Sequence, residues 1–133
     1  MPRGIHGSLS TPQEYGMYIM RSSYKSNAYR KGLVFELTHA EIHTLVQSPC
    51  TYCGREPELR SNFKHISNPR VQKAMEGKHY FANGIDRIDN KLGYTKENCC
   101  ACCSECNTSK SDMPLDTWLR MVERIYEYQN RPQ

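Results

Sequence analysis

The sequence predicts an α+β fold in which a strand–loop–strand–helix core lies between helices. Two Cys-x-x-Cys pairs, Cys50/Cys53 and Cys103/Cys106, have the spacing of the two halves of a tetrahedral metal site. The segment 84–98 between the pairs is rich in Gly, Asp and Asn, as tight turns are. Helix-start patterns before this core and an apolar helical periodicity after it predict the flanking helices.

The first predicted helix runs from Pro12 to Lys31. Thr11 can cap its start, with Pro at the first helical position and Glu14 completing a capping box, and Gly32 favours its end. Apolar side chains at helical spacing should face the core, and basic side chains should face outward. The core-facing set is Tyr15, Tyr18, Ile19 and Met20, and the outward set is Arg21, Lys25, Arg30 and Lys31.

A second helix should follow a short extended link at residues 34–37. Thr38 and Glu41 form another capping box, and the helix should stop by Ser48, because a proline comes next. The apolar residues Ile42, Leu45 and Val46 give this helix one buried face.

The segment between the cysteine pairs should form a long loop and then a hairpin. Residues 55–78 are polar and poorly periodic, with a short helix predicted only from Pro69. Residues 79–88 predict one strand and 98–102 its returning partner. The helix that bears the second cysteine pair should run from Cys103 to about Asp112.

After Pro114, an amphipathic helix is predicted, and the chain as a whole forms one structural domain with three parts. The apolar residues at helical spacing are Leu115, Trp118, Leu119, Val122, Ile125 and Tyr126. The three parts are an N-terminal arm with two helices at 1–49, the metal-stabilised core at 50–112 and the C-terminal helix at 113–133.

Composition argues for a small polar domain that depends on a metal for stability. The 133 residues are 38% hydrophobic with a mean hydropathy of −0.77. No apolar run approaches the length of a membrane span, and residues 1–10 lack the apolar stretch of a signal peptide. We therefore expect no membrane partner and a reducing cytoplasm, where seven cysteines indicate metal binding rather than disulfides.

The charge is uneven along the chain. Residues 1–80 carry 11 Lys and Arg against 6 Asp and Glu, whereas residues 81–133 carry 7 against 8. A basic N-terminal region followed by a slightly acidic C-terminal region suits a protein that binds phosphates with one part and a cation with the other. A solvated surface explains the charges equally well.

Three further cysteines leave open which two residues form the second pair of metal ligands. Cys102 or Cys100 could replace Cys103 in the second pair. The asparagine directly after Cys106 favours the 103/106 pair, and Cys99 and Cys100 then pack in a buried strand.

Asp86 and Asn107 are the candidate ligands of a second metal ion. Asp86 lies on the first predicted strand and Asn107 near the start of the following helix. Carboxylate and amide oxygens suit Mg²⁺ or Mn²⁺, and two protein ligands leave room for water and a phosphate, which such a cation can polarise. The alternatives are a surface salt bridge for Asp86 and a helix cap for Asn107, and Asp89 suits a turn better than a metal.

The motifs over residues 50–112 resemble those of the HNH endonucleases, also called ββα-metal nucleases. The similarity is greatest to the branch that contains phage homing-type nucleases and rare-cutting restriction enzymes. The matching motifs are Cys50-Thr51-Tyr52-Cys53-Gly54, Ile85-Asp86-Arg87-Ile88-Asp89, Gly93-Tyr94, Asn98 and Cys103 through Ser111.

The resemblance implies a role for each matching residue. Asp86 and Asn107 would ligate the catalytic Mg²⁺ or Mn²⁺, and Asn98 would brace the hairpin loop through backbone hydrogen bonds. The four paired cysteines would hold a structural zinc: Cys50, Cys53, Cys103 and Cys106.

One departure from the family pattern concerns the general base. Most members have His directly after the aspartate, whereas this chain has Arg87, which stays protonated and cannot accept a proton. Arg87 would instead clamp the phosphate or offset transition-state charge. The candidates for the base are His43 first, and then His39, His79 and Tyr94.

The resemblance implies a metal-dependent DNA endonuclease with double-stranded DNA as its partner, leaving a 5′ phosphate. We expect a phage or mobile-element origin and a bacterial host cytoplasm, and a homodimer if both strands are cut. The rival hypothesis is a zinc-stabilised DNA-binding module without catalysis, and an RNA or branched substrate stays open. The expected DNA contacts are Arg21, Lys25, Arg30 and Lys31 on the first helix, and Lys110 one turn beyond the asparagine ligand.

Overall fold

The computed structural model describes residues 11–60, 63 and 66–133, so the predicted arm at 1–10 lies outside the described residues. Five helices and four strands follow one another along these residues, with one 3₁₀ turn before the last strand. In chain order they are α1 (Pro12–Lys31), α2 (His39–Val46), β1 (Glu58–Arg60), α3 (Pro69–Met75), β2 (Tyr80–Ala82), β3 (Gly84–Arg87), the 3₁₀ turn (Lys96–Asn98), β4 (Cys99–Cys102), α4 (Ser104–Lys110) and α5 (Leu115–Gln129).

The predicted helix starts are confirmed by their caps. The Thr11 hydroxyl accepts a hydrogen bond from the Glu14 backbone N–H, and α1 ends at Gly32 in the left-handed conformation. The second capping box is complete in both directions, between Thr38 and Glu41. The short helix expected from Pro69 is also present.

The prediction of one continuous strand at 79–88 is wrong. The chain forms two short strands there, because β2 pairs antiparallel with β1 and β3 pairs antiparallel with β4 in a separate sheet. The break falls at the buried Asn83, whose amide nitrogen donates to the carbonyls of Ser48 and Arg55. Strand β1 lies in the segment that the sequence predicts as a loop.

Strands β3 and β4 with helix α4 form the predicted strand–strand–helix unit. Asp86 lies opposite Cys100 in the antiparallel register, and Cys103 caps the start of α4. The returning strand begins one residue later than predicted, because Asn98 closes a 3₁₀ turn.

The core lies between α1, α2 and the two small sheets. Met20 and Ala28 of α1 are buried with Ile42 and Val46 of α2, and Tyr80 of β2 is 1% exposed. The C-terminal helix α5 forms as predicted, yet only its Trp118 is buried. Leu115 is half-buried, and the other predicted apolar residues are exposed: Leu119, Val122, Ile125 and Tyr126. Within the described parts of the chain, no helix has both the length and the apolar character needed to cross a membrane.

Candidate metal centre and catalytic cleft

The four paired cysteines meet at one point, although the two pairs come from distant parts of the chain. Cys50, Cys53, Cys103 and Cys106 have sulfur atoms that all lie within 4.8 Å of one another, and the Cys53 and Cys103 sulfurs are 3.6 Å apart. Tetrahedral Zn–S bonds of about 2.3 Å place sulfurs about 3.8 Å apart, so this spacing suits such an ion. The chemistry of the donor set and its geometry both fit a metal.

The surroundings of this four-cysteine cluster shift the pKa values of its thiols in opposite directions. Burial tends to raise the pKa of Cys50, but backbone N–H groups of Cys103, Cys53 and Tyr52 outweigh it and lower the pKa to about 6. Burial, together with the neighbouring sulfurs, raises the pKa of Cys106. Crowded thiols resist losing all their protons together, whereas a cation at their centre would remove this penalty.

The remaining cysteines lie in the buried strand β4, and of these Cys102 packs against Cys50 and Cys103 without belonging to the four-cysteine cluster. Cys99 and Cys100 are buried there, as the packing interpretation expects, and burial raises the pKa of the Cys99 thiol to about 12. Cys102 is 0% exposed and also has a pKa raised by burial. The cluster therefore has the 103/106 register.

Asp86 and Asn107 line the same cleft, which has a volume of about 660 Å³. Strand β3 supplies the carboxylate and helix α4 the amide, so the two predicted oxygen ligands come together on the strand–strand–helix unit. Hard oxygen donors of this kind suit Mg²⁺ or Mn²⁺. The other lining residues are Tyr24, Asn27, Lys31, Ile85, Arg87, Asn90, Tyr94, Ser111 and Asp112.

Asp86 is 3% exposed and is held by two side chains. The Tyr52 hydroxyl donates to Oδ2 at 2.7 Å, and the Lys110 Nζ lies 3.2 Å from Oδ2 and 3.4 Å from Oδ1. Burial, reinforced by the hydrogen bond to Asp86, raises the pKa of Tyr52, so this phenol stays protonated and donates. Oδ1 keeps lone-pair capacity for a cation, since its contact to Lys110 is long.

Lys110 has a different partner from the predicted phosphate. Its side chain is 0% exposed, and its ammonium contacts Asp86 and the carbonyl oxygen of Arg87 at 3.4 Å. A phosphate cannot reach a fully buried ammonium in this conformation, so the expected DNA contact of Lys110 is not present here. Sequence reasoning missed the pairing because Lys110 and Asp86 are 24 residues apart.

Arg87 braces the loop that follows β3. Its Nη1 donates to the carbonyls of Asn90 at 2.6 Å and Leu92 at 2.9 Å, and its guanidinium carbon lies 5.3 Å from the centre of the Tyr94 ring. Because Arg87 also lines the cleft, a phosphate contact through its other donors stays a prediction.

Asn98 holds the same loop from the other side. Its Oδ1 accepts from the Asp89 N–H at 2.9 Å, and its Nδ2 donates to the carbonyls of Asp89 and Gly93 at 3.0 Å. These contacts are the backbone brace that the family resemblance implies. Asp89 itself accepts from the Lys91 N–H, which is the turn contact expected of it.

No histidine is found among the described residues that line the cleft. His43 and His39 are exposed on α2, and His79 is exposed before β2. Tyr94 is the one candidate base that lines the cleft, where it is 6% exposed. The role of His43 therefore stays a prediction, without a direct contact to support it.

The basic residues of α1 divide into two groups. Lys25, Arg30 and Lys31 are exposed, and Lys31 reaches the cleft. Arg21 is partly buried, with its guanidinium 6.0 Å from the Phe35 ring centre, so it is less available to DNA than the sequence predicts.

Sequence reasoning missed Tyr24 and Arg60 as cleft residues. A second cavity of about 450 Å³ includes both and shares Tyr24, Asn107 and Ser111 with the main cleft. The Tyr24 hydroxyl accepts from the Ile85 N–H at 2.9 Å, next to Asp86. Tyrosines at helical spacing usually pack in a core, so no local signal distinguished Tyr24.

Comparison with known proteins gives one sequence relative and one structural neighbour. No protein-family model matches the chain. The chain is 38% identical over 95 residues to the uncharacterized protein R423 of Acanthamoeba polyphaga mimivirus, a match that covers 71% of this chain. It spans only 14% of the length of that viral protein.

The structural neighbour is the rare-cutting HNH restriction endonuclease PacI. The superposition has a TM-score of 0.55 at 26% sequence identity and covers 84% of this chain and 78% of PacI. Together with the four-cysteine cluster, this similarity confirms the predicted fold class. The chain has an α+β fold with an HNH-like ββα core, a cluster of four cysteines beside it and flanking helices.

Proposed function

We propose that this protein is a metal-dependent endonuclease that hydrolyses phosphodiester bonds in double-stranded DNA. The observation that carries the proposal is the meeting of Asp86 and Asn107 in one cleft of an HNH-like ββα unit. Similarity to PacI, a restriction endonuclease, supports nuclease activity and DNA as the substrate.

Asp86 and Asn107 would hold the catalytic cation. When bound, Mg²⁺ or Mn²⁺ polarises the phosphoryl group and stabilises the displaced 3′ oxygen. Asn98 and Arg87 keep the neighbouring loop in place through its backbone carbonyls and amides. Lys31, exposed at the rim of the cleft, supplies positive charge toward the DNA backbone.

The four-cysteine cluster would hold a structural zinc separate from the catalytic cation. Four thiolates with no other ligand form a closed site, which is typical of structural zinc. The cluster joins residues 50–53 to residues 103–106 and so fixes the first cysteine loop against α4. We propose that this zinc maintains the fold while the oxygen ligands perform the chemistry.

The proposed nucleophile is water. Two residues are candidates for the general base that activates it: His43 and the cleft residue Tyr94. A side chain acting as general base needs hydrogen-bond reach to the water in the DNA complex, and such contacts often tighten only when substrate binds. An exposed His43 on α2 would therefore have to approach with the DNA.

A plasmid cleavage assay tests the proposal. The wild-type chain should nick or linearise plasmid with Mg²⁺ or Mn²⁺, and Asp86→Ala and Asn107→Ala should each abolish cleavage while retaining DNA binding. Asp116→Ala, an exposed carboxylate on α5, is the matched control and should cleave normally. Normal cleavage by Asp86→Ala would overturn the proposal.

The rival function is a DNA-binding module without catalysis, and the absence of a histidine from the described cleft lining favours it. DNA binding by the wild-type chain with no cleavage under any divalent cation would establish this alternative. If both strands are cut, we propose a homodimer or two successive nicks, because one chain carries one such cleft among its described residues.

A further inference from the structure

Asp86 is held by two residues from outside its own hairpin. Tyr52 belongs to the first cysteine loop, between Cys50 and Cys53, and Lys110 is the last residue of α4. The Tyr52 contact to Oδ2 is short at 2.7 Å, whereas the Lys110 contacts to the two carboxylate oxygens are 3.2 and 3.4 Å.

Both residues contact Asp86 without lining the cleft themselves. Asp86 and Asn107 line the cleft, but neither Tyr52 nor Lys110 does. Lys110 is 0% exposed, and the ring of Tyr52 packs edge-on against Trp118 of α5 with centroids 5.2 Å apart. The Asp86 carboxylate is therefore fixed by two residues outside the cleft lining, while Asp86 itself lines the cleft.

We propose that Lys110 and Tyr52 are positioning residues that hold the Asp86 carboxylate in place and thereby set the affinity of the cleft for its divalent cation. The inference rests on the proposed function, since it concerns the same cation site. It assigns Lys110 to the carboxylate and not to a DNA phosphate.

Electrostatics gives the physical reason for a buried ammonium at this place. A carboxylate with 3% exposure is costly to bury unless a charge compensates it and hydrogen bonds satisfy its oxygens. Lys110 supplies the charge, and its contacts are spread over both oxygens and the Arg87 carbonyl. The Lys110 contacts to the carboxylate are longer than the usual length of about 2.8 Å for charge-assisted bonds. Asp86 Oδ1 therefore keeps the capacity to bind a cation in the cleft.

Tyr52 supplies the orientation. Its hydroxyl fixes Oδ2, and its place between two cluster cysteines ties this hydroxyl to the four-cysteine cluster. The geometry of the cluster is thus transmitted to the cation site through one side chain. Hydrogen-bond partners behind a metal ligand typically change metal affinity by about 10–100-fold when removed.

The test is Mn²⁺ affinity, measured by electron paramagnetic resonance on the full chain with its cysteine-bound metal. Tyr52→Phe removes only the hydroxyl, and Lys110→Gln removes the charge. Each should weaken Mn²⁺ binding by about 10–100-fold, while zinc content and circular dichroism stay unchanged. Lys96→Gln, an exposed lysine before β4, is the matched control and should bind Mn²⁺ as the wild type does.

A second measurement separates positioning from phosphate binding. The salt dependence of DNA affinity, taken without divalent cations, should be the same for Lys110→Gln and wild type. A slope reduced by about 0.9 would make Lys110 a phosphate contact and overturn the inference. If Lys110→Gln does not fold, Tyr52→Phe decides alone, and wild-type Mn²⁺ affinity in that variant also overturns it.

Asp86→Ala distinguishes this inference from the function it rests on. If Asp86→Ala loses Mn²⁺ binding but Tyr52→Phe does not, only the positioning role is overturned. If Asp86→Ala binds Mn²⁺ as well as wild type, the proposed cation site fails and the positioning role fails with it.

Discussion

Asn98 joins three backbone groups of the loop between β3 and β4, which Arg87 also braces. It is 6% exposed and makes one hydrogen bond as acceptor and two as donor. Buried polar groups that lose their partners cost more than the bonds themselves contribute. The loop between β3 and β4 therefore depends on this side chain for its shape.

Replacing Asn98 by Ala should reduce the free energy of unfolding by about 2–4 kcal/mol, because three hydrogen bonds are lost and the Asp89 N–H is left without its partner. The Asp89 and Gly93 carbonyls keep their bonds to the Leu92 and Thr95 N–H groups. Chemical denaturation monitored by circular dichroism measures this change. Lys91→Ala, an exposed side chain in the same loop, should change it by less than about 0.5 kcal/mol. An equal effect of the two variants would contradict the bracing role.

Arg87→Met should also destabilise the loop, by about 2 kcal/mol, because two charge-assisted hydrogen bonds and the contact with the Tyr94 ring are lost. If Arg87 also acts as a fixed donor to the transition state, cleavage should fall by a factor of roughly 10²–10³ in folded protein. Stability and single-turnover cleavage, measured on the same sample, separate the two roles. Unchanged stability would show that the loop carbonyls find other donors.

Helix α1 contacts the core so closely at one position that only glycine fits. A Cβ at Gly16 would lie 2.4–2.6 Å from three ring atoms of the buried Tyr80. Glycine in a helix normally costs up to about 1 kcal/mol relative to alanine. The helix thus contains an unfavourable residue so that Tyr80 can lie against its backbone.

Gly16→Ala should therefore destabilise the protein by about 1–3 kcal/mol, despite the better helix propensity of alanine. Ser22→Ala on the exposed face of the same helix is the control and should be neutral or slightly stabilising. Thermal unfolding of both variants gives the comparison. A stabilised Gly16→Ala would mean that Tyr80 moves aside without cost.

The exposed basic face of α1 should contribute to DNA binding through charge alone. Lys25, Arg30 and Lys31 are exposed, and neutralising all three to Gln should weaken binding equally on all DNA sequences. The slope of log affinity against log salt should fall by about 0.9 for each lost phosphate contact. Arg120→Gln with Arg124→Gln on α5 is the control, and an unchanged slope in the triple variant would remove α1 from the interface.

For the whole molecule, the four-cysteine cluster connects two segments that lie about 50 residues apart in sequence. Residues 50–53 and 103–106 meet only in the folded chain, so a metal bound there would contribute directly to the folding free energy. The small polar core makes this contribution necessary, since the chain is 38% hydrophobic.

Removing the cluster metal with a chelator should unfold much of the domain. Acid should act in the same direction: metal ligation needs thiolates, so affinity falls as the pH falls and protons compete for sulfur. Zinc content and circular dichroism, followed together from pH 8 to about pH 5, should decline together. Folded protein that contains no metal at neutral pH would contradict this role.

Local sequence rules predicted the parts of the fold that depend on near neighbours. Caps at Thr11 and Thr38 need only residues within one helical turn, and the Cys-x-x-Cys spacing defines half of a metal site by itself. The same rules failed at 79–88, where the sequence predicted one strand. The partner strands there come from different parts of the chain, and Asn83 marks the change between them.

The sequence by itself determined the fold class, the helix starts and the four-cysteine cluster, because each is marked by residue types at fixed local spacing. Only the tertiary structure decided what those residues contact. It gave Lys110 a buried carboxylate, Arg87 two loop carbonyls, and the described histidines His39, His43 and His79 positions outside the cleft lining. The physical reason is that a buried charged side chain must find a partner that compensates its charge, and for Lys110 that partner lies 24 residues away in sequence.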